Sequence, residues 1–192
     1  MNIDIFRKEG AKNLIIGNVD EVPVYFDLTR DTTYHFKGER SIKVIRTNGY
    51  RRRLTVCLAV LSNGQRLPPY IIFKAASLPK NPYPSSMLVD SNKNGWITET
   101  LMKKWANRIW NEVKLENHDK KVKLLVMDQC SSHIKEEVLK EIKKTGYVDL
   151  IPPGCTSLAQ PLDLVINKAF KDHLRILFDD WLKTYGITDA NK

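Results

Sequence analysis

The stretch Lys123-Leu-Leu-Val-Met-Asp-Gln-Cys-Ser-Ser-His133 joins an apolar run to a single acid, Asp128. Small polar residues follow this acid, and a helical pattern begins at Ile134. An apolar run of this length, followed by a helix, is typical of a buried strand in an α/β sheet. Open α/β sheets keep their ligand sites at the C-terminal ends of their strands. The stretch therefore predicts that Asp128 lies at an active site.

The chain around this stretch predicts an α/β fold with a mixed five-stranded sheet flanked by helices. Residues 13–28 form the first strand region, with an interruption expected at Pro23 because proline cannot donate to a strand ladder. Strands at 52–61 and 67–74 follow, and the turn Ser62-Asn-Gly64 between them favours an antiparallel pairing. The remaining elements alternate, which favours added parallel strands. They are helices at 99–114, at 134–144 and from Asp163 onwards, and strands at 121–128 and 147–151.

Three local signals refine this prediction. Thr98 is expected to cap the helix over 99–114. Gly146 is expected to end the helix over 134–144. The proline-containing residues 75–95 are predicted to be a long surface excursion, with a short strand at 87–89 left open.

Composition limits the class of protein. A chain of 192 residues, 42% hydrophobic and 28% charged, is typical of one globular domain. No run approaches the roughly 18 apolar residues of a membrane span, and the N-terminus lacks the apolar core of a signal peptide. The three cysteines form no CxxC pair. They are predicted to be free thiols inside the cell, without a structural zinc site.

The net charge is +9, from 31 Lys and Arg against 22 Asp and Glu. Such a basic excess favours a polyanionic partner such as DNA or RNA, and solvated surface lysines are the plain alternative. Clustering of the basic residues favours the first reading. The clusters are Lys43 with Arg46, Arg51–Arg53, Lys120–Lys121, Lys143–Lys144, and Lys168 with Lys171 and Arg175.

Two further acids have settings that bring them towards Asp128. Asp20 lies within the first apolar strand, where a carboxylate is costly unless it is bonded, exposed in a cleft or bound to a cation; a turn at Asn18–Asp20 is the alternative. Asp163 starts the last helix. Carboxylate oxygens are the ligands that Mg²⁺ prefers, and two divalent ions about 3.5–4 Å apart can cleave phosphodiesters. Without metal, the clustered carboxylates are expected to take up protons.

Several motifs, in order along the chain, resemble a known family. They are Asn18–Glu21, Leu124–His133, Ile151–Asp163, Pro68–Lys74 and Gly95–Thr98. Together they resemble the DDE superfamily transposases of the pogo/Tigger/Jerky group, relatives of mariner elements. The separation of 35 positions between Asp128 and Asp163 fits the family's second and third acids.

The resemblance implies an RNase H-like catalytic core that cleaves DNA and transfers strands with Mg²⁺ or Mn²⁺, expected as two ions. It makes Asp20, Asp128 and Asp163 the catalytic and metal-binding residues, and it implies a nuclear location. DNA is the expected partner and a homodimer is left open; no membrane and no organic cofactor are expected. Val22 departs from the family's usual Thr after Asp-Glu, with little expected effect on metal binding.

The resemblance also bears on domain organisation. Residues 1–192 are predicted to be one catalytic domain, starting almost at the first catalytic strand. The N-terminal helix-turn-helix region of the family is expected to be absent, as in a fragment or degenerate copy. Sequence-specific DNA binding is therefore not expected from these residues.

Four further residues are candidates for DNA binding. Lys168, Lys171 and Arg175 are candidate phosphate contacts on the last helix, with a solvated face as the alternative. His133 is expected either to orient Asp128 or to contact DNA, or else to have a structural role at a helix start. Glu21 is expected to point away from Asp20, because adjacent strand residues face opposite sides.

Three rival activities stay open or are disfavoured. A domesticated transposase-derived protein that binds DNA or chromatin without catalysis is the main alternative. A ribonuclease acting on RNA–DNA hybrids is a further one. A thiol nucleophile formed by Cys130 with His133 is disfavoured, because no acyl-transfer motif accompanies the pair.

Overall fold

The computed structural model describes residues 3–10, 13–26, 37–38, 52–80, 82–115 and 121–185. Lys43, Arg46, Arg51 and Lys120 of the basic clusters lie outside these ranges. In chain order the strands are β1 (Leu14–Tyr25), β2 (Arg53–Leu61), β3 (Tyr70–Lys74), β4 (Leu88–Asn92), β5 (Val122–Met127) and β6 (Gly146–Leu150). The helices are α1 (Ile3–Glu9), α2 (Glu99–Trp105), α3 (Glu136–Ile142), α4 (Thr156–Ala159) and α5 (Asn167–Tyr185), with π-helical turns at Ala106–Trp110 and Leu162–Ile166.

The described strands form one mixed sheet in the order β4-β3-β2-β1-β5-β6. The predicted antiparallel run β1, β2, β3 is confirmed, and so are the parallel strands β5 and β6. A sixth strand, β4, pairs in parallel with β3 at one edge. It overlaps the short strand left open at 87–89, since it begins at Leu88 and extends to Asn92.

β1 is the central strand, and its neighbours place the acids. Asn18 lies opposite Val126 on β5, so the end of β5 that leads to Asp128 lies beside the part of β1 that holds Asp20. The interruption predicted at Pro23 is wrong, since β1 continues to Tyr25. Pro23 is accommodated because β1 pairs with β5 only over Leu14–Asn18, so one side of β1 needs no ladder donor there.

The three predicted helices are present with shifted or shorter bounds, whereas α1 and α4 were not predicted. The Thr98 side chain accepts a hydrogen bond from the Leu101 amide at 3.4 Å, so the predicted cap of α2 is confirmed. The prediction for Gly146 is wrong: it is the first residue of β6, not a helix stop. The sheet requires glycine here, because a Cβ on Gly146 would lie 2.4 Å from the Lys123 carbonyl oxygen.

The main core lies between the sheet and α2, with its π-helical turn, and α3. Trp105 and Trp110 are fully buried there, with ring centroids 6.5 Å apart. β1 passes so close that a Cβ on Gly17 would lie 2.6 Å from the Trp110 ring. Lys123, inside β5, donates from Nζ to the Trp110 carbonyl at 2.7 Å. The sheet carrying the acids is therefore fixed against a rigid layer.

The three cysteines, Cys57, Cys130 and Cys155, are free, as predicted. No helix in the described ranges has the length and apolar character needed to cross a membrane.

Candidate metal-binding active site

Asp20 and Asp163 are joined through one side-chain amide. Asp20 is buried in β1, and its Oδ2 accepts a hydrogen bond of 2.6 Å from Nδ2 of Asn167. The same Nδ2 donates to Oδ1 of Asp163 at 3.0 Å. We call these three residues the amide-bridged cluster.

Two further buried side-chain amides, those of Asn18 and Gln160, fix the segment that carries Asp163. Asn18, two residues before Asp20, donates from Nδ2 to Gln160 Oε1 at 3.0 Å and to the Val126 carbonyl at 2.9 Å. Gln160 donates in turn to the Val19 carbonyl at 3.0 Å, and the Leu162 amide donates to Asn18 Oδ1 at 3.1 Å. Since these bonds tie the start of the π-helical turn to β1, they hold Asp163 beside Asp20.

The amide-bridged cluster has excess negative character. Burial, followed by the hydrogen bond and the charge of Asp163, raises the pKa of Asp20 to about 7, although Asn167 opposes this. The direction of this pKa shift agrees with the expected proton uptake by the metal-free acids. Asn167 Oδ1 is buried and has no hydrogen-bond partner among the described residues. Apart from the Asn167 Nδ2 donor, the cluster consists of oxygen acceptors, the ligand type that a hard divalent cation prefers.

The other acid predicted to bind metal, Asp128, belongs to a different arrangement. Its Oδ1 lies 2.6 Å from Nδ1 of His133, and Nε2 of His133 lies 2.8 Å from Oε1 of Glu21. The amide of Cys130 also donates to Asp128 Oδ1, at 3.2 Å. We call Glu21, His133 and Asp128 the histidine-bridged cluster.

The histidine-bridged cluster holds two carboxylates around one internal cation. Burial lowers the pKa of His133, but the hydrogen bonds to Asp128 and Glu21 outweigh it and raise this pKa to about 10. At neutral pH the ring is therefore an imidazolium that donates from both nitrogens. The hydrogen bond from His133 is the main cause that lowers the pKa of Asp128. Asp128 is thus held as a carboxylate by a cation inside the protein.

The structure brings two of the three predicted acids together. Asp20 meets Asp163, whereas Asp128 lies at the end of the neighbouring strand with its Oδ1 on His133. In the ranges given above, no three His, Cys, Asp or Glu side chains are arranged closely enough to hold a metal ion. A three-carboxylate centre stays a prediction. Glu21 points to His133, on the side away from the Asp163 contact, as expected.

The candidate DNA contacts have different surroundings. His133 has 0% of its surface exposed, so it offers DNA no surface here; orienting the acid is the alternative that its contacts match. Lys168 is exposed. Lys171 and Arg175 line a small groove of about 150 Å³ beside Tyr25, and Arg175 also pairs with Asp172 at 2.9 Å.

Sequence reasoning missed Asn167, Gln160 and Asn18 as site residues. Asn18 and Gln160 belong to the motifs that carry the resemblance, and this was the available signal. Asn167 lies four positions after Asp163, a spacing that places two side chains on one helix face.

A mixed sheet with one acid on β1, a second directly after the neighbouring strand β5, and a third on a helical turn packed beside them is typical of an RNase H-like fold. A family model described as DDE superfamily endonuclease matches residues 51–186. The chain therefore belongs to the DDE superfamily endonuclease family. This match includes Asp128 and Asp163 and begins after Asp20.

Named relatives are consistent with this assignment. The mouse protein "Pogo transposable element with KRAB domain" is 30% identical over 168 residues, covering 87% of this chain and 28% of that protein. The human "Pogo transposable element with ZNF domain" is 27% identical over 157 residues, covering 81% of this chain and 11% of that protein. The chain thus spans about a quarter or less of the length of these relatives.

Solved structures with the same fold include two complexes of Mos1 transposase. The paired-end complex with the left transposon end has a TM-score of 0.55 at 12% identity, covering 98% of this chain and 52% of that one. The mariner Mos1 paired-end complex with Mn has a TM-score of 0.54 with the same identity and coverage. At this identity the likeness shows the fold alone.

Proposed function

We propose that this chain is the catalytic core of a pogo-type DNA endonuclease and strand transferase. Asp20, Asp128 and Asp163 act as its metal-binding, catalytic residues. The observation that carries the proposal is the amide-bridged cluster: the buried carboxylate of Asp20, the exposed carboxylate of Asp163 and the buried, unpaired amide oxygen of Asn167 lie together. Such a group is costly in an apoprotein unless its site serves a cation.

The expected metal is Mg²⁺ or Mn²⁺. Asp20 and Asp163 would hold it, together with Asp128 from the end of the next strand. A bound divalent ion would supply an activated water and stabilise the leaving oxygen, and two ions are expected for an in-line displacement. Mos1 transposase, which has the same fold, is described in complexes with Mg and with Mn.

The other residues of the site orient the acids. Asn167 holds the carboxylates of Asp20 and Asp163 side by side with one amide nitrogen. His133 keeps Asp128 ionised and fixes its Oδ1. Among the described residues, the hydrogen bonds to this carboxylate end on Oδ1, which leaves Oδ2 for a cation.

DNA is the proposed substrate and the nucleus the proposed location. Lys168, Lys171 and Arg175 are proposed to contact the phosphate backbone, because they follow Asp163 on α5. Association of two copies is consistent with the paired-end complexes described for Mos1 transposase. Residues 1–192 are proposed to act as one catalytic domain, with DNA sequence recognition located elsewhere.

The proposal is tested by incubating the folded protein with Mn²⁺ and supercoiled DNA. We expect nicking by the wild type and none by Asp128→Asn or Asp163→Asn. Asp180→Asn is a matched control, since Asp180 is an exposed acid further along α5. Absence of nicking in every protein, with native circular dichroism, would contradict catalysis.

A non-catalytic DNA- or chromatin-binding protein is the second candidate. Two observations favour this candidate. Asp128 is bound to His133, and the described residues form no three-acid group. Calorimetric titration with Mg²⁺ separates the two candidates. Stoichiometric binding that is lost in Asp20→Asn supports the enzyme, and no binding supports the second candidate. Comparing RNA–DNA hybrid with duplex DNA as substrate tests the ribonuclease alternative.

A further inference from the structure

A second concave surface lies beyond the acids, where β1 ends. It is a cavity of about 810 Å³ next to the start of β2 and the end of β3. Three aromatic residues line it, Phe26, Phe73 and Tyr83, and four basic residues, Arg52, Arg53, Lys74 and Lys93. The other described residues that line it are alanine and proline, so no acid of the described ranges lines this surface. We call this surface the aromatic–basic groove.

The aromatic side of the groove is held in place before any ligand binds. The Tyr83 hydroxyl donates to the Pro79 carbonyl at 3.0 Å, which closes the loop after β3. The rings of Phe73 and Tyr83 lie 6.1 Å apart at an angle of 45°. Phe26 is 49% exposed, so it presents a large apolar ring to solvent at the edge of the groove.

The basic side has an unmet hydrogen-bond donor. The guanidinium of Arg53 lies 3.3 Å from the centre of the Trp96 ring, and Nη2 donates to the Asn94 carbonyl at 3.3 Å. Its Nη1 is buried and has no partner among the described residues. A buried guanidinium nitrogen without an acceptor favours a ligand that brings an anionic oxygen, such as a phosphate.

The groove lies where a DNA strand that passes the acids would continue. Phe26 is six residues after Asp20 on the same extended segment, a distance of about 20 Å at roughly 3.3 Å per residue. In duplex DNA, at roughly 3.4 Å per nucleotide of one strand, this distance corresponds to about six nucleotides.

We propose that the aromatic–basic groove binds an unpaired stretch of a DNA strand whose neighbouring part lies at the acids. Exposed bases stack on Phe26 and on the Phe73–Tyr83 pair, and Arg52, Arg53 and Lys93 neutralise the phosphates. Stacking requires bases that are not paired, whereas a duplex would use the basic residues alone. This inference deepens the proposed function, since its ligand is the DNA substrate proposed above.

Binding of fluorescein-labelled oligonucleotides, followed by anisotropy in EDTA, tests the groove without cleavage. The probes are a 12-nucleotide oligo-dT, an abasic strand of the same length and a 12-base-pair duplex. We expect Phe26→Ala to weaken oligo-dT binding at least fivefold and to change abasic-strand and duplex binding less than twofold. Tyr185→Ala, which removes another exposed ring, should leave all three unchanged.

The basic contribution is tested with Lys93→Glu, with the exposed Lys114→Glu as its control. We expect Lys93→Glu to weaken binding of oligo-dT and of the abasic strand and to reduce the salt dependence of both, because phosphate contacts do not need bases. Equal losses for single strand and duplex in Phe26→Ala, or no loss at all, would overturn the groove. If Phe26→Ala does not change DNA binding and nicking persists, the groove proposal is overturned while the proposed function is kept. Loss of nicking in Asp163→Asn with unchanged oligo-dT binding would support a binding groove that is separate from the acids.

Discussion

Two neighbouring residues of β1, Asp20 and Glu21, enter clusters of opposite electrostatic character. In the amide-bridged cluster two carboxylates share one neutral amide, and the pKa of Asp20 is raised to about 7. In the histidine-bridged cluster two carboxylates share one imidazolium, and the pKa of Asp128 is lowered. The sheet pleat, which turns adjacent side chains to opposite faces, separates the two environments.

The difference indicates which cluster needs a cation from outside. The histidine-bridged cluster contains one cation of its own, which offsets part of the charge of its two carboxylates. The amide-bridged cluster is short of positive charge and retains an unpaired Asn167 oxygen. A divalent ion would be expected to bind at the amide-bridged cluster. The histidine-bridged cluster would stabilise the fold and orient Asp128.

The largest expected effect is on catalysis. Asp20→Asn should lower Mn²⁺-dependent nicking by at least about a thousandfold, roughly 4 kcal/mol of barrier, because it removes a metal ligand. Glu21→Gln should lower nicking by only about tenfold, since it acts through His133. Initial nicking rates of the two folded variants check this. Equal losses in both would show that the two clusters do not differ in role.

The next effect is on folding stability. His133→Ala should lower the free energy of unfolding by about 3–5 kcal/mol, because it leaves the carboxylates of Asp128 and Glu21 without their shared cation. Asn167→Ala should lower the free energy of unfolding by less, about 1 kcal/mol, because it also removes a buried oxygen that has no hydrogen-bond partner. Urea unfolding at pH 7 in EDTA measures both. A smaller loss for His133→Ala than for Asn167→Ala would contradict the comparison.

A pH dependence should distinguish the amide-bridged cluster in the absence of metal. The folded-state pKa of Asp20, about 7, lies above its ordinary value of 3.8. Between these values the native state binds more protons than the unfolded state, so the free energy of unfolding falls as pH rises. We expect a contribution of about 2 kcal/mol, compared by urea unfolding at pH 4.5 and 6.5. In Asp20→Asn this contribution should be absent; an unchanged pH profile would rule it out.

The smallest expected effect is stabilisation by metal. At pH 8, Mg²⁺ at ten times its dissociation constant should raise the free energy of unfolding by about 1.4 kcal/mol through linkage. Asp20→Asn should show no such gain, whereas Glu21→Gln should keep most of it. Thermal unfolding with and without Mg²⁺ provides the measurement. A gain retained in Asp20→Asn would place the ion elsewhere.

The sequence predicted the central part of the fold and the neighbourhood of Asp20 and Asp128. β2 and β5 carry clear apolar patterns, and the element order left few ways to arrange the strands. β4 was only suggested, because Leu88-Val-Asp-Ser-Asn92 is an edge strand with polar residues and lacks the pattern of a core strand. Pro23 misled the prediction, because its effect depends on which side of β1 is paired.

The roles of the site's polar residues were less predictable. His133 and Glu21 are 112 positions apart, and only the folded sheet brings them together. Asn and Gln side chains are usually exposed. Asn167 and Gln160 have a structural role because the fold buries them. Nothing in local spacing distinguishes an amide that bridges two carboxylates from one that faces water.

The π-helical turn at Leu162–Ile166 has a consequence for how such chains vary in evolution. A π-turn contains one residue more than an α-turn and is commonly found at functional sites. Asp163 lies in this turn and Asn167 directly after it. Loss of a single exposed residue such as Val165 would restore a regular helix and rotate Asp163 by about 100° relative to α5. If Asp163 acts as proposed, a one-codon deletion here would therefore remove the proposed activity while leaving every acid in the coding sequence.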